Sequence, residues 1–208
     1  MSDAGRINGD LRITGDLMVN GSMPEIDRTT LAQDSNAEYV IPLTQARVWD
    51  AMGSNLPNTS SADDLAIDGG TFGTDSPKIT TGDVKASTVT RHARLLAELP
   101  PEYVDGQSVT VRVHAGMETT VADTSATVDV ECYKSDKETG IGSDICTTAA
   151  QSINSLTFAD MDFTITPSGL SSGDVLDIRI TVAVTDAATA TAVMASIGAI
   201  ELLLDIKG

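Results

Sequence analysis

Apolar and polar residues alternate along several segments in the second half of the chain, and this pattern limits the possible folds most. Valine, isoleucine and leucine, with one cysteine at position 132, occupy every second position in residues 109–113, 128–132, 176–184 and 200–206. Successive side chains of a strand point to opposite faces, so each segment would have one buried and one polar face. Such strands are typical of antiparallel sheets with one solvated side. We therefore predict an all-β protein whose residues 84–208 form an antiparallel β-sandwich, with a jelly roll as the expected topology.

Residues 1–24 contain a six-residue glycine repeat that predicts an extended N-terminal β arm. Apolar residues share the odd positions with the glycines, so both would lie on one face of an extended chain. Glycine there allows another backbone to approach closely. So few repeats cannot bury this face alone, and other copies of the chain are the simplest partner. We predict that the arm attaches the chain to a partner and assembles a homotrimer through Ile7, Gly9, Leu11, Ile13, Gly15, Leu17, Val19 and Gly21.

Residues 25–83 are predicted to form a loop-rich connector with a short helix. Residues 41–43 suggest an edge strand, because Pro42 has no backbone N–H to donate to a neighbouring strand and prolines in sheets are therefore found at edges. Residues 44–53 suggest a helix with Thr44 as the N-cap and Gly53 as its end. The single tryptophan, Trp49, is expected to anchor this segment on the β domain, and a ligand platform is the alternative.

Two local features of the β domain also lead to predictions. Leu156 and Phe158 occupy even positions whereas Phe163 and Ile165 occupy odd ones, which predicts a β-bulge or bend at residues 160–162. Cys132 and Cys146 flank a polar, turn-rich stretch centred near Thr139, so a hairpin would place them opposite each other. Two buried thiols are the favoured interpretation, with a cross-strand disulfide as the main alternative. The absence of a secretory signal favours the reduced form.

The formal net charge of −17 argues against several kinds of partner. Nucleic-acid binding requires lysine and arginine to neutralise phosphates, and an anionic membrane surface would repel this chain. The start of the sequence has no apolar segment typical of a signal peptide. The longest apolar run, residues 197–204, is too short to span a bilayer. A strongly acidic surface does suit a component of a crowded assembly, because it prevents non-specific association.

The sequence shows no pattern of catalytic or metal-binding residues, so we predict no enzyme activity, no metal and no cofactor. His92 and His114 lack zinc-ligand spacing, and no nucleophile elbow or phosphate-binding glycine loop is present. Two acidic groups offer oxygen ligands for calcium, but neither has the spacing of a calcium loop: Asp63, Asp64 and Asp68, and Asp160 with Asp162. Four arginines of the β domain are expected to form cross-strand or intersubunit ion pairs: Arg91, Arg94, Arg112 and Arg179.

The arm pattern Gly-Asp-Leu-x-Val-x-Gly resembles N-terminal segments of virion proteins from tailed bacteriophages. The region from residues 99–106 to the closing residues 203–208 is similar to phage and prophage-encoded structural proteins. This resemblance implies a trimeric structural virion protein that decorates and stabilises a capsid. It also implies binding to the major capsid protein, synthesis in the host cytoplasm and a location on the capsid surface.

The alternative is a tail-associated or fibre-associated module that binds receptor glycans. Glycan sites usually present exposed aromatic rings that stack on sugars. The sequence offers few candidates for this role: Trp49, Tyr39, Tyr103 and Tyr133.

Overall fold

The computed structural model describes residues 35–207, so the predicted arm, residues 1–24, lies outside the described part of the chain. Strands dominate this part, and a single turn of 3-10 helix covers Leu43–Gln45. The strands are β1 (Ser35–Val40), β2 (Ala66–Asp68), β3 (Lys78–Thr80), β4 (Thr88–Glu98), β5 (Val109–Met117), β6 (Ser125–Ser135), β7 (Gln151–Ser152), β8 (Ala159–Ile165), β9 (Val175–Thr185) and β10 (Ala195–Ile206).

These strands form two antiparallel sheets that pack face to face. Sheet A has the order β2-β3-β10-β5-β8, and β1 pairs with the C-terminal half of β10. Sheet B has the order β4-β9-β6-β7. From β3 onward the chain crosses to the other sheet at nearly every connection, which is the path of a jelly roll. The predicted antiparallel sandwich is confirmed. Residues 35–83, which the sequence assigns to a connector, contribute β1, β2 and β3 to sheet A.

The alternating pattern explains how the two sheets close around one core. In β9, Ile178, Ile180 and Val182 point inward and are at most 1% exposed, while the residues between them face outward. Val111 and Val113 of β5 contribute from the opposite sheet and are fully buried. Burying each aliphatic side chain of this size contributes about 1.5–3 kcal/mol. The small fraction of aromatic residues is therefore compatible with a core built from aliphatic side chains.

The predicted helix at residues 44–53 is wrong, and the chain there runs along the edge of β4 instead. The backbone N–H of Arg47 donates to the carbonyl of Arg94 at 2.9 Å, and the N–H of Arg94 donates back at 3.0 Å. A ten-residue helix is marginal by itself, so pairing with the open edge of a long strand prevails. The predicted edge strand at residues 41–43 is also displaced, because β1 ends at Val40. No helix within residues 35–207 is long and apolar enough to cross a membrane.

The predicted bulge at residues 160–162 is wrong, because β5 and β8 pair without interruption. Their register runs unbroken from Ala115 opposite Ala159 to Val109 opposite Ile165. Leu156 and Phe158 come before β8, so the alternation of a strand does not apply to them and their even numbering does not indicate a bulge. The register shifts instead in β10, between Ile197 and Ala199.

The two cysteines are free thiols on neighbouring backbone segments. The N–H of Ile145, not of Cys146, donates to the carbonyl of Cys132 at 2.8 Å, so the cysteines are not directly paired. The carboxylate of Asp144 accepts hydrogen bonds from both cysteine N–H groups at 2.9 Å. Cys132 is completely buried and Cys146 half-buried. Burial raises the pKa of both thiols, most strongly at Cys132, where the proximity of Cys146 adds to the effect.

A buried carboxylate joins three loops at one end of the sandwich. Asp186 is 1% exposed and accepts hydrogen bonds from the backbone N–H groups of Ala86 at 2.6 Å, Asp123 at 3.1 Å and Thr189 at 3.3 Å. Burial alone would raise the pKa of Asp186, but the hydrogen bonds from Thr189 and the backbone outweigh it, so the pKa lies below its ordinary value. These loops therefore depend on an ionised Asp186.

Candidate functional site

Three cross-strand rows of side chains, polar or aromatic except for Leu96, lie on the outer face of sheet B. They exist because the apolar residues of β4, β9 and β6 point into the core, which leaves every second side chain facing outward. Each row takes one residue from β4, one from β9 and one from β6. The rows are His92–Thr181–Asp129, Arg94–Arg179–Glu131 and Leu96–Asp177–Tyr133.

Two arginine–carboxylate pairs occupy the middle of this face. Arg94 forms a two-pronged pair with Asp177, in which Nε donates to Oδ1 at 2.7 Å. Arg179 pairs with Glu131, which lies directly opposite on β6. The hydrogen bond with Asp177 raises the pKa of Arg94. Arg94 and Arg179 are themselves direct neighbours across β4 and β9, so each guanidinium needs its own carboxylate to offset the like charge beside it.

Trp49 lies over one side of the same face. The bonds between Arg47 and β4 fix the loop that carries it, and its indole N–H donates to the carboxylate of Asp63 at 2.9 Å. Its ring centroid is 5.1 Å from that of His92, and the guanidinium carbon of Arg179 is 5.3 Å from the ring centroid. Trp49 therefore anchors this loop on sheet B, the role predicted for it, and holds its ring in a fixed position.

A groove runs between the Trp49 loop and β6. Its volume is about 320 Å³, within the range of small-molecule sites. The aromatic rings of Trp49 and Tyr133 are half-buried there, and Ile141 is 54% exposed. The polar part comes from the ion-paired side chains described above. The lining residues are Trp49, Asp50, Arg94, Tyr133, Ile141, Asp177 and Arg179.

The groove carries an excess of negative charge. Both guanidinium groups are already paired with carboxylates, and two further carboxylates lie nearby, that of Asp50 in the lining and that of Asp63, which accepts from the Trp49 indole. Among the described residues that line the groove, no cation is left unpaired to bind an anionic ligand, which this excess would repel. The arrangement is suited to a neutral ligand that offers both an apolar face and hydroxyl groups.

The acidic residues considered for calcium have other contacts. Asp63 accepts from Trp49, Asp68 accepts from the N–H of Gly70 at 2.9 Å, and Asp160 contacts the His114 ring nitrogen at 2.6 Å. Asp162 forms a two-pronged pair with an arginine of β5 at 2.7 and 2.9 Å. No group of three or more potential metal-ligating side chains occurs within residues 35–207.

Asp64 differs from these residues. Its Oδ1 is buried and has no hydrogen-bond partner among the residues that the structure describes. Burial, followed by the nearby charges of Asp63 and Asp50, raises its pKa.

The arginines predicted to form ion pairs largely do so. Arg94, Arg112 and Arg179 each pair with a carboxylate of a neighbouring strand. Arg91 instead donates to the hydroxyl of Ser60 at 2.8 Å and to the carbonyl of Thr81, so it fastens two loops.

The aromatic candidates divide into two groups. Tyr103 is fully buried, with its hydroxyl donating to the Gln107 carbonyl at 2.6 Å, and Tyr39 packs against the core. Only Trp49 and Tyr133 of these four residues line the groove. The sequence alone offers both rings as stacking candidates but predicts neither their proximity nor a role in the site for Ile141, Asp50 and Asp177.

Comparison with known proteins gives distant similarity only. No protein-family model and no curated protein matches the sequence. Among solved structures, the xylan-binding module CBM15 is 12% identical, covers 84% of this chain and 100% of its own, and has a TM-score of 0.45. The CBM22-1 xylan-binding domain of Paenibacillus barcinonensis Xyn10C is 11% identical, with coverages of 83% and 99% and a TM-score of 0.36. A structure of the Gx strain of infectious bursal disease virus is 14% identical, with coverages of 74% and 34% and a TM-score of 0.29. Similarities at this level carry no conclusion about what this chain binds.

Proposed function

We propose that this chain is a non-catalytic module that binds a neutral glycan in the groove on the outer face of sheet B. The observation that carries the proposal is the combination of two aromatic rings, Trp49 and Tyr133, with a polar surface of paired charges in one groove. Sugar rings present apolar C–H faces that stack on aromatic side chains and hydroxyl groups that need hydrogen-bond partners. The groove offers both.

The ion pairs of the groove suit hydroxyl groups. Arg94 and Arg179 carry guanidinium N–H groups, and Asp177 provides carboxylate oxygens beside them. A sugar hydroxyl donates to one kind of group and accepts from the other, and hydrogen bonds to charged groups are stronger than those between neutral ones. Because the ion pairs are formed without ligand, these groups are held in position before binding, which reduces the entropy cost of association.

The excess of carboxylates selects among glycans. Uronic acids, sialic acids and sulfated sugars would place their anions near Asp50 and Asp177 without an unpaired guanidinium to receive them. Neutral hexoses and pentoses avoid this repulsion. We therefore assign neutral glycans as the ligand class.

The groove favours glycan binding over capsid decoration, which the sequence places first. Decoration by a homotrimer bound to a major capsid protein stays a second proposal, supported by the glycine repeat of residues 1–24 and by the net charge of −17. The two roles are compatible, because a glycan-binding domain could be attached to a virion by its arm.

Affinity gel electrophoresis tests the proposal, with the purified chain migrating through gels that contain neutral or carboxylated polysaccharides. We expect at least one neutral polysaccharide to retard the chain, and carboxylated ones to retard it less. Trp49→Ala and Tyr133→Ala should each weaken binding about tenfold, which corresponds to about 1.4 kcal/mol.

Phe72→Ala is the matched control, because Phe72 is fully exposed and does not line the groove. It should leave retardation unchanged. The proposal is wrong if no neutral polysaccharide retards the chain, or if the two groove variants bind as well as the unchanged protein while remaining folded by circular dichroism.

A further inference from the structure

The outer edge of β1 is open within the described part of the chain, whereas other long edges are covered. Arg47 pairs with the edge of β4, and Thr147 donates to the carbonyl of Thr164 at 2.9 Å along the edge of β8. Within residues 35–207, β1 pairs with β10 alone. An open edge presents unpaired N–H and C=O groups that can bind another strand.

The alternation of hydrogen-bonding direction along β1 identifies the backbone groups that face this open edge. The N–H of Ile41, just after β1, donates to the carbonyl of Ile200 on β10 at 2.8 Å. Hydrogen-bonding direction alternates along an antiparallel strand, so Tyr39 and Ala37 also point their backbone groups at β10. The N–H and C=O groups of Glu38 and Val40 therefore point away from the sheet. The side chain of Val40 is 65% exposed, which leaves apolar surface at the same edge.

A surface depression lies on the outer face of sheet A beside β1. It has a volume of about 310 Å³ and extends from β1 across β10 to β5. Leu203 contributes apolar surface, Thr110 and Ser108 contribute hydroxyl groups, and Glu38 contributes a carboxylate. β1 separates Leu203 from the open edge, so the apolar side chains of an added strand would instead meet the exposed side chain of Val40.

We propose that residues 11–19 of the arm of a second copy of this chain pair with the open edge of β1. In the sequence, residues 1–34 lead directly into β1, so every copy of the chain carries this segment close to the edge in question. Its alternating Leu11, Ile13, Leu17 and Val19 form the one-sided pattern that a strand added to a sheet requires.

Charge and connection length favour this occupant over others. Pairing β1 with β1 of another copy would bring Glu38 close to its counterpart, and like charges across strands are destabilising. Glu201 makes this edge still more acidic, whereas the arm contains Arg12. Pairing residues 11–19 with β1 of the same chain would leave residues 20–34 as the hairpin loop, whereas hairpin loops normally have 2–5 residues. The arm of another copy is free of this limit.

The test compares the full chain with Glu38→Pro, using light scattering after gel filtration. Proline at this position removes an outward N–H but no bond to β10, and prolines are tolerated on edge strands. We expect the unchanged chain to have a mass at least twice 21.6 kDa and Glu38→Pro to approach 21.6 kDa, with the same circular dichroism spectrum. Glu38→Thr, which also removes the charge but keeps the N–H, is the control and should remain associated.

Hydrogen exchange on the unchanged chain gives a second measurement that does not depend on whether the proline variant folds. The amides of Glu38 and Val40 should exchange slowly at high protein concentration and quickly on dilution, while the amide of Tyr39 stays protected. A monomeric unchanged chain, an associated Glu38→Pro protein that is folded, or exchange at Glu38 that is independent of concentration would each overturn the proposal.

Discussion

The pair formed by Arg94 and Asp177 allows a quantitative prediction about the groove. The side chain of Asp177 is 9% exposed, whereas that of Arg94 is 34% exposed. Removing Arg94 leaves the buried carboxylate of Asp177 without a partner, which typically lowers the free energy of unfolding by about 3–5 kcal/mol. Arg179 lies beside the pair and can partly replace the lost charge, so we expect a value near the lower limit, about 3 kcal/mol for Arg94→Met. This corresponds to a fall in Tm of about 6–12 °C.

Removing the carboxylate of Asp177 instead should destabilise the protein less than removing Arg94. After Asp177→Leu, the guanidinium of Arg94 can still reach water, so we expect a loss of about 2 kcal/mol, partly from repulsion by Arg179. In the double variant neither charge of this pair is left unpaired, so the loss should be no larger than the smaller single loss, about 1–2 kcal/mol. The coupling between the two positions is then about 3 kcal/mol or slightly more.

Urea denaturation of the four proteins measures these free energies directly. Lys85→Met serves as a control, because the side chains of Lys85 and Asp83 are 52% and 40% exposed, and such a pair contributes less than about 1 kcal/mol. If Arg94→Met costs less than Asp177→Leu, or if the double variant loses the sum of both single losses, the pair does not stabilise the groove in the way described.

Three further predictions concern the rest of the domain. In the native state a thiol reagent should modify Cys146 only, and Cys132 should react after unfolding, because burial shields it and raises its pKa; rapid modification of both would contradict this. Stability should fall as the pH drops from about 5 to about 2, because carboxylates with lowered pKa values contribute only while ionised, and Asp186→Asn should flatten this dependence in acid-denaturation curves. Gly116→Ala should lower the free energy of unfolding by about 1–3 kcal/mol, because the new Cβ would lie 2.6 Å from a ring carbon of Phe158. Gly53→Ala is the control and should change the thermal unfolding curve little, because no atom lies within 4 Å of its new Cβ.

The sandwich was predictable because the sequence of each long strand alternates between apolar and polar residues. The alternation at Ile178, Ile180 and Val182 requires one buried face, and sheets that bury one face must pack on another layer. The helix prediction for residues 44–53 was wrong because it relied on local sequence alone. Their helical pattern is a local signal, whereas the edge of β4 that competes for Arg47 is formed by residues far along the chain.

The groove was predictable only in part. The sequence marked Trp49 as an anchor and named Tyr133 as a possible stacking residue, yet their proximity depends on the pairing of β6, β9 and β4. The expectation that Arg94 and Arg179 find cross-strand carboxylates was correct, because scarce cations on the outer faces of an acidic sheet have many possible partners. Which carboxylate each one finds is set by register, and register cannot be derived from alternation alone.

The pairing of β1 with β10 has a consequence for protein engineering. Ser35 lies opposite Ile206, so the two ends of the described domain are neighbours. A short glycine-rich linker could join them, and new ends could be opened at the exposed turn near Gly73 to give a circular permutant with the same sheets. A fluorescent protein or an affinity tag fused after residue 207 would emerge beside β1, in sheet A.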